Sequence, residues 1–310
     1  MTLHTPLLVV AFNRPGPARG LLDLLKTVQP RRLYVALDGP RPHRPGEAAL
    51  CQQVEDLFRR GIDWPCDTRW LVRSSNLGCR RAVSGALDWL FQHETEGIIL
   101  EDDVLPIPDF FPYCEALLER YRHDTRIGMI SGNCHWQGAP PEAASYGFSI
   151  YARIWGWATW RRAWAAYQPA LEQWPAFSRG SWLEDLGGDA FARRWRVLID
   201  QVACGEVDTW DLIWQLACWQ QGYLTCMPAR EQVVNVGFGA DATHTQGDRS
   251  PLQPAAALPW PLRHPQTILP SRREDQRFFE HHIRSSWWRS VRRRLLQRWR
   301  QLRWPQPAGG

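Results

Sequence analysis

Residues 97–103 read GIILEDD, and this stretch decides the fold. A short apolar run without alternation is typical of a β-strand buried on both faces, and here it leads directly into Glu101, Asp102 and Asp103. Adjacent carboxylates repel one another unless a cation or hydrogen-bond donors hold them. The stretch therefore predicts a buried strand whose carboxyl end carries a dense negative charge.

The same pattern recurs three times upstream. Apolar runs at 7–12, 33–37 and 68–72 stop at polar or turn residues, which are Asn13-Arg14-Pro15, Asp38-Gly39-Pro40 and Arg73 to Asn76. Between the runs lie helical patterns at 18–27, 47–60 and 79–92. Strands that alternate with helices predict an α/β fold with a doubly wound, mostly parallel sheet flanked by helices.

The polar residues after these strands predict a binding site. Ligands of doubly wound sheets lie beyond the carboxyl ends of the strands, so we expect these residues to meet at one edge although they are far apart in sequence. A hard divalent cation, Mn²⁺ or Mg²⁺, takes one or two carboxylates and completes its shell with substrate phosphates and water. The edge is therefore expected to hold a metal and a diphosphate, whereas an isolated acidic triplet would be a solvated loop.

Beyond the triplet the pattern is less regular. Helices are predicted at 108–122, 191–204 and 210–221 and strands at 127–131 and 146–151, with an aromatic stretch at 154–160 and a polar, glycine-containing one at 235–244. Six prolines then indicate an extended connector at 251–282, and a helix is predicted at 283–304. The catalytic domain is expected to occupy 1–250.

The predicted terminal helix is basic and amphipathic. The 310-residue chain has a formal net charge of +5, but eight arginines and no acid lie from position 284 onwards, so the rest is mildly acidic. One interpretation is attachment to an anionic membrane surface, where each basic residue contributes about 1 kcal/mol. The other is packing on the catalytic domain. Nucleic acid is the least favoured partner because the basic patch is confined to one helix.

The compartment is predicted from what the sequence lacks. No apolar run is long enough to cross a bilayer, and the N-terminus lacks the plan of a signal peptide. We expect a cytoplasmic protein that is peripheral on the inner face of the cell membrane if the terminal helix attaches it. The eight cysteines lack the spacing of zinc or redox sites and are expected to be reduced thiols.

Four blocks of sequence resemble one enzyme family. In chain order they are VVAFNRP, ALDGPR, NLGCRRAVSGALDWLF and IILEDDVLPIPDFF. They resemble the nucleotide-binding half of GT-A glycosyltransferases near family 2, and the acidic triplet with the sequence after it is similar to N-acetylglucosaminyltransferase I, an inverting enzyme. The resemblance implies a GT-A nucleotide-diphospho-sugar transferase fold with a DXD-type metal motif. It makes 1–132 the nucleotide-sugar-binding half and 133–250 the acceptor and catalytic half.

The resemblance also implies roles for individual residues. Asp103 would bind the metal, while Asp102 and Glu101 would contact the ribose and the donor sugar. The other donor-binding residues would be Asn13 and Arg14 beside the nucleotide base, Asp38 as hydrogen-bond acceptor from a uracil-type ring, and Arg73, Asn76 and Gly78 near the nucleotide and diphosphate. A glycine at 78 permits close backbone approach, and a helix that begins near Cys79 would aim its positive end at the edge.

An inverting transferase needs one general base for the acceptor hydroxyl. By resemblance the base lies in the segment 208–211, where Asp211 is the first candidate and Asp208 the second, with a helix N-cap as the alternative role of Asp208. His244 is a metal ligand, a diphosphate contact or an ordinary loop residue. Trp155 and Trp157 either shape the donor-sugar and acceptor sites or pack in the core.

The resulting hypothesis is a metal-dependent, inverting hexosyl- or N-acetylhexosaminyl-transferase. It would move one sugar from a UDP-linked donor to a cell-surface glycan or lipid-linked acceptor, because the transmembrane helices and acceptor motifs of processive polysaccharide synthases are missing. One alternative is a nucleotidyltransferase on a related sheet, which would carry a glycine-rich, basic loop after the first strand. The other is a non-catalytic, membrane-associated sugar-binding protein that uses the 19 tryptophans.

Overall fold

The structure is a computed structural model that describes residues 2–136, 143–237 and 255–284. Its elements are, in chain order, β1 (Leu7–Ala11), α1 (Pro15–Val28), β2 (Arg32–Leu37), α2 (Glu47–Gly61), β3 (Asp67–Val72), α3 (Gly78–His93), β4 (Glu96–Glu101), β5 (Val104–Pro106), α4 (Phe110–Arg120), β6 (Ile127–Ser131), β7 (Tyr146–Ser149), β8 (Trp157–Trp160), α5 (Arg161–Trp164), α6 (Tyr167–Phe177), α7 (Trp182–Ala203), α8 (Asp211–Gln220), β9 (Leu224–Pro228), β10 (Val233–Asn235), α9 (Arg272–Phe278) and a π-helical turn (Phe279–Arg284).

An eight-stranded sheet organises the described residues. Its strand order is β3-β2-β1-β4-β8-β6-β9-β7. The first four strands are parallel, β8 runs antiparallel to both of its neighbours, β6 and β9 are parallel, and β7 closes the sheet antiparallel to β9. The prediction of an α/β fold with a mostly parallel sheet flanked by helices is confirmed.

Both faces of the sheet are covered, as the unbroken apolar strands predict. Alternate residues of β1 belong to different cores: Leu7 and Val9 pack with α1, α2 and α4, whereas Leu8 and Val10 pack with α3 and with helices α5 to α8. Helix α1 begins at Pro15, whose fixed φ suits a first helical turn. The chain therefore leaves each parallel strand, covers one face, and returns.

The pairing register of the parallel strands places their carboxyl ends at the same edge of the sheet. The amide of Asp102 donates to the Val10 carbonyl (3.0 Å), and the amide of Asp38 donates to the Ala11 carbonyl (3.1 Å). The amide of Arg73 donates to the Leu37 carbonyl at 3.1 Å. The polar residues after β1, β2, β3 and β4 therefore start at the same height along the sheet, as the sequence predicts.

The second half of the sheet is built by shorter elements. The predicted helices at 108–122 and 210–221 are α4 and α8, and the one at 191–204 is the last part of α7, which bends at Gly188. Helices α5 and α6 were not predicted. Strand β10 pairs antiparallel with β5, so that Asn235 lies opposite Val104. This small ribbon carries the chain back beside the acidic end of β4.

The segment predicted as an extended connector packs against the domain and contains a helix. Pro270 forms a β-bridge with Phe148 of β7, and α9 follows within the range 251–282. Asp275 of α9 accepts hydrogen bonds from the Ser149 hydroxyl and from the Ile150 amide. Of the predicted terminal helix, only Ile283 and Arg284 are described, in the π-helical turn, and the rest of 283–304 lies outside the described residues. Within the described ranges, no helix is long and apolar enough to cross a membrane.

Candidate active site

A cleft of about 450 Å³ lies at the carboxyl ends of the parallel strands. Eleven of the predicted site residues line it, namely Asn13, Arg14, Asp38, Asn76, Gly78, Glu101, Asp102, Asp103, Trp155, Asp208 and Asp211. They come from four strand ends, the start of α3, the loop before β8 and the start of α8. The convergence expected from the strand pattern is thus present in the fold.

One arginine bridges the acidic residues after β4. The Nη1 atom of Arg14 donates to Asp103 Oδ2 at 2.9 Å, and its Nη2 atom is paired with Asp102 Oδ1. The other oxygen of Asp102, which is only 2% exposed, accepts from the Phe12 amide at 3.3 Å. Arg14, which the resemblance places beside a nucleotide base, therefore lies on the carboxylates as a built-in counter-ion.

The cleft nevertheless keeps an excess of negative charge. Burial raises the pKa of Glu101 to about 8, and the nearby charges of Asp103 and Asp102 add to that rise. Burial also raises the pKa of Asp102 to about 6, while Arg14 opposes the rise. A single guanidinium thus faces three acidic side chains, of which Glu101 keeps its proton near neutral pH, and a second cation would relieve the remaining repulsion.

Asp38 and Asn76 shape the loop before α3. The Asn76 side-chain amide donates to Asp38 Oδ2 (2.8 Å), the Leu77 amide donates to the same carboxylate (3.1 Å), and Asn76 Oδ1 accepts from the Gly78 amide (3.1 Å). Gly78 has φ +78°, and a Cβ there would lie 2.5 Å from an Asp208 oxygen. The two polar residues therefore hold the backbone that forms one wall of the cleft, and only glycine fits at the turn.

Asp208 and Asp211 have different hydrogen-bond partners although they are only three positions apart in the sequence. Asp208 accepts hydrogen bonds from the Cys79 amide (2.9 Å) and the Arg80 amide (3.3 Å), so it caps α3 and not the helix that it precedes. The carboxylate of Asp211 accepts from the Thr209 hydroxyl and from the Leu212 amide (2.9 Å). Both of these bonds end on Oδ1, and Asp211 is among the residues that line the cleft.

Two predicted site residues do not line the cleft. Trp157 is 1% exposed and stacks on Trp210 with ring centroids 5.6 Å apart, so it belongs to the core. Arg73 lies after β3 as predicted, but its guanidinium packs toward α3, where a Cβ at Gly85 would be 3.1 Å from Nη2. Burial lowers the pKa of Arg73, and the charge of Asp38 opposes that change. His244 lies outside the described residues.

The β5–β10 ribbon adds two residues that sequence reasoning did not assign to the site. Asn235 and Gly237 line the cleft, and the Val236 amide donates to the Asp103 carbonyl at 2.8 Å. A Cβ at Gly237 would lie 2.0 Å from Asp103 Oδ2, so only glycine permits this approach. The sequence feature that could have assigned these two residues to the site is the polar, glycine-containing stretch that begins at Asn235.

The carboxylates of the cleft are the candidate ligands for a metal ion. In the ranges that the structure describes, no group of three or more His, Cys, Asp or Glu side chains is arranged to hold a metal ion. A magnesium-like ion, however, typically uses only one or two carboxylates and takes its other ligands from substrate phosphates and water. Asp103 is more exposed than the buried Asp102, and the surplus of acidic side chains favours a cation there. The donor set therefore fits a divalent ion that is shared with a bound diphosphate.

No model of a known protein family matches the chain, and no curated protein shows significant similarity to it.

Proposed function

We propose that this chain is an inverting glycosyltransferase that moves one sugar from a UDP-linked donor to a glycan or lipid-linked acceptor. The observation that carries the proposal is the meeting, in one cleft, of an acidic strand end, a glycine-lined helix start and a separately held carboxylate, Asp211. The acidic strand end suits a cation that is shared with a bound diphosphate, and the glycine at the start of α3 allows the Asp208 segment to approach it closely. The third suits a base for the acceptor hydroxyl.

The residues divide the chemistry as follows. Asp103, together with His244 if that side chain reaches the site, would hold Mn²⁺ or Mg²⁺, which supplies neutralisation of the charge on the departing nucleoside diphosphate. The donor's diphosphate would share that ion, because the Asp208 carboxylate already occupies the first amides of α3 and the space beside Gly78. Trp155, which lines the cleft, offers an apolar face to a sugar ring.

Asp211 would take the proton of the acceptor hydroxyl. The Thr209 hydroxyl and the Leu212 amide hold Oδ1 of this cleft-lining carboxylate, and Oδ2 would take the proton. The acceptor oxygen then attacks the anomeric carbon from the face opposite the leaving diphosphate. The proton moves to Asp211 as the new glycosidic bond forms, and the configuration at that carbon is inverted.

The positions of the tryptophans disfavour the sugar-binding alternative. Trp157, Trp164, Trp210 and Trp214 form one buried cluster, and Trp195 and Trp219 pack in the same core. These rings therefore stabilise the fold and present no stacking surface. The nucleotidyltransferase alternative lacks support as well, because only Phe12, Asn13 and Arg14 separate β1 from the first proline of α1.

The test is a screen of UDP- and GDP-sugars for Mn²⁺-dependent release of the nucleoside diphosphate, with and without added acceptors. We expect release with one donor class in the wild-type protein and its loss in Asp103→Ala. Asp56→Ala, a change to an acid on the surface of α2, is the matched control that keeps activity. Absence of release with every donor would refute the proposal.

A further inference from the structure

A second cavity, of about 470 Å³, lies on the other side of α3. Its lining includes Arg80, Arg81 and Ser84 of α3, Tyr167 and Gln168 of α6, and Asp208. Asp208 also lines the first cleft, and Asp211 follows it by three residues. The two cavities are therefore neighbours that share one wall.

The first two turns of α3 form that wall, and their two faces differ. Gly78, Cys79 and Ala82 face the candidate active site. Positions 77, 80, 81 and 84, which recur at helical spacing, face the second cavity. One face is small and permits close approach, while the other carries two guanidinium groups and a hydroxyl. A ligand of the second cavity is thus expected to be anionic.

The charges of this cavity are not balanced by ion pairs. Arginines elsewhere on the described surface, such as Arg41, Arg59, Arg60 and Arg122, pair with a carboxylate. No such pair within the described ranges involves Arg80 or Arg81. The one acid in the lining, Asp208, accepts the amides of Cys79 and Arg80, so its charge is already used by the start of α3.

A buried polar group lies where α6 meets the arginine-bearing face of α3. Tyr167 is 3% exposed, and its hydroxyl lies near the side chains of Ser84 and Arg80 without a hydrogen bond of good geometry to either. Its ring stacks on Trp164 with centroids 4.3 Å apart. Asp88 of α3 accepts from the Trp164 indole (2.7 Å) and from the Gln168 amide (3.1 Å), which joins α3 to α5 and α6. The Tyr167 and Ser84 hydroxyls and the Arg80 guanidinium thus lie close together, and a ligand oxygen could accept hydrogen bonds from all three.

We propose that this second cavity binds the phosphate group of a phosphate-bearing acceptor, held by Arg80 and Arg81 with the hydroxyls of Ser84 and Tyr167. The two guanidinium groups offer the planar, multiple donors that phosphate oxygens accept. The acceptor would extend from this cavity past Asp208 into the cleft that contains Asp211. The assignment rests on the proposed function for its meaning, but the phosphate site itself can be tested separately.

The experiment is a ³¹P NMR titration of the full-length protein with three probes: inorganic phosphate, glycerol phosphate and geranyl phosphate. The test variant is Arg80→Ala/Arg81→Ala. The matched control is Arg59→Ala/Arg60→Ala, which removes another adjacent arginine pair from the surface of α2. Thermal unfolding of each variant shows whether it is folded, and Arg80→Lys/Arg81→Lys keeps the charge without the planar geometry.

We expect the wild-type protein and the control to bind phosphate monoesters with equal affinity, and the double alanine variant to lose about tenfold or more in affinity. The lysine variant should lie between them. Tighter binding of geranyl phosphate than of glycerol phosphate would assign the phosphate to a lipid acceptor, and equal binding would assign it to a soluble one.

Two results would overturn the assignment. One is wild-type protein that binds none of the three probes, and the other is a double alanine variant that is folded and binds them as the control does. A separate titration of wild-type protein with UDP and Mn²⁺ reports on the proposed function. Failure of that titration, with phosphate binding intact, would refute the glycosyltransferase proposal and leave the phosphate site standing.

Discussion

The two walls of the candidate active site hold their acids differently. The strand wall is the end of β4, where Glu101, Asp102 and Asp103 are crowded beside Arg14 and the pKa values of Glu101 and Asp102 are raised by burial. The helix wall is the segment 208–211, where Asp208 accepts backbone amides of α3 and Asp211 accepts from its own turn. Crowding makes the strand wall a fixed negative site that favours a cation. Under the proposed function, the separately held Asp211 takes the proton of the acceptor hydroxyl.

The largest expected effect is on the helix wall. Asp211→Asn should lower the rate of sugar transfer by about 100-fold to 10,000-fold, the usual contribution of a general base. The amide keeps the size of the side chain and an oxygen for the Leu212 amide, so nucleotide binding should be retained. Steady-state transfer rates and a UDP titration measure the two effects.

A near-normal transfer rate in Asp211→Asn would show that Asp211 is not the general base. Its control is Asp200→Asn on α7, whose carboxylate accepts the indole N–H of Trp174 outside the cleft. Because Asp200 bonds only to a core tryptophan and does not line the cleft, this change should leave the transfer rate unchanged.

The strand wall should respond to pH without a divalent ion. Glu101 holds its proton up to about pH 8 in the folded protein, but only to about its ordinary value of 4.5 when unfolded. Between these values the folded state binds more protons, so the free energy of unfolding should fall by about 1 kcal/mol per pH unit as pH rises. Glu101→Gln should flatten this dependence.

Denaturant unfolding in the presence of EDTA, at several pH values, measures the contribution of Glu101. The control is Glu172→Gln, a change to an exposed acid on α6. If wild-type protein and Glu101→Gln lose stability equally between pH 5 and 8, Glu101 is not a crowded, protonated carboxyl and the contrast between the walls disappears.

Arg14 allows a further test of the difference between the two walls, because its charge already neutralises part of the strand wall. Arg14→Gln should raise the affinity of the free protein for Mn²⁺ by about tenfold, since a unit charge a few ångströms from the ion is removed. Arg14→Lys, which keeps the charge but loses the two-point contact, should raise it less. Electron paramagnetic resonance of free Mn²⁺ measures the Mn²⁺ affinity of each variant. Weaker binding by Arg14→Gln would show that the arginine organises the site instead of opposing the ion.

The strand wall could be predicted from the sequence because its pattern lies within short, continuous stretches of the chain. A buried strand shows itself as an apolar run, its end shows itself as the first polar residue, and parallel pairing brings those ends together. Asn13, Asp38, Asn76 and Asp103 were therefore placed correctly at one edge. None of these placements required knowledge of which distant side chains touch.

The remaining site depends on contacts that no local pattern encodes. Trp155 and Trp157 are two positions apart in one aromatic stretch, but only the pairing of β8 with β4 and β6 decides which ring enters the core. Asp208 caps a helix 129 residues earlier in the chain. Gly237 approaches Asp103 only because β10 returns to pair with β5. These are consequences of tertiary packing.

The smallest expected effect separates the two acids of the helix wall. Asp208→Ala should lower the free energy of unfolding by about 1 kcal/mol, because the first amides of α3 lose their cap. Asp208→Asn should restore most of that stability, since asparagine caps as well as aspartate. Neither change should affect transfer as strongly as Asp211→Asn. Because asparagine can cap but cannot take a proton, a folded Asp208→Asn protein that loses transfer as Asp211→Asn does would identify Asp208 as the base and assign Asp211 to structure.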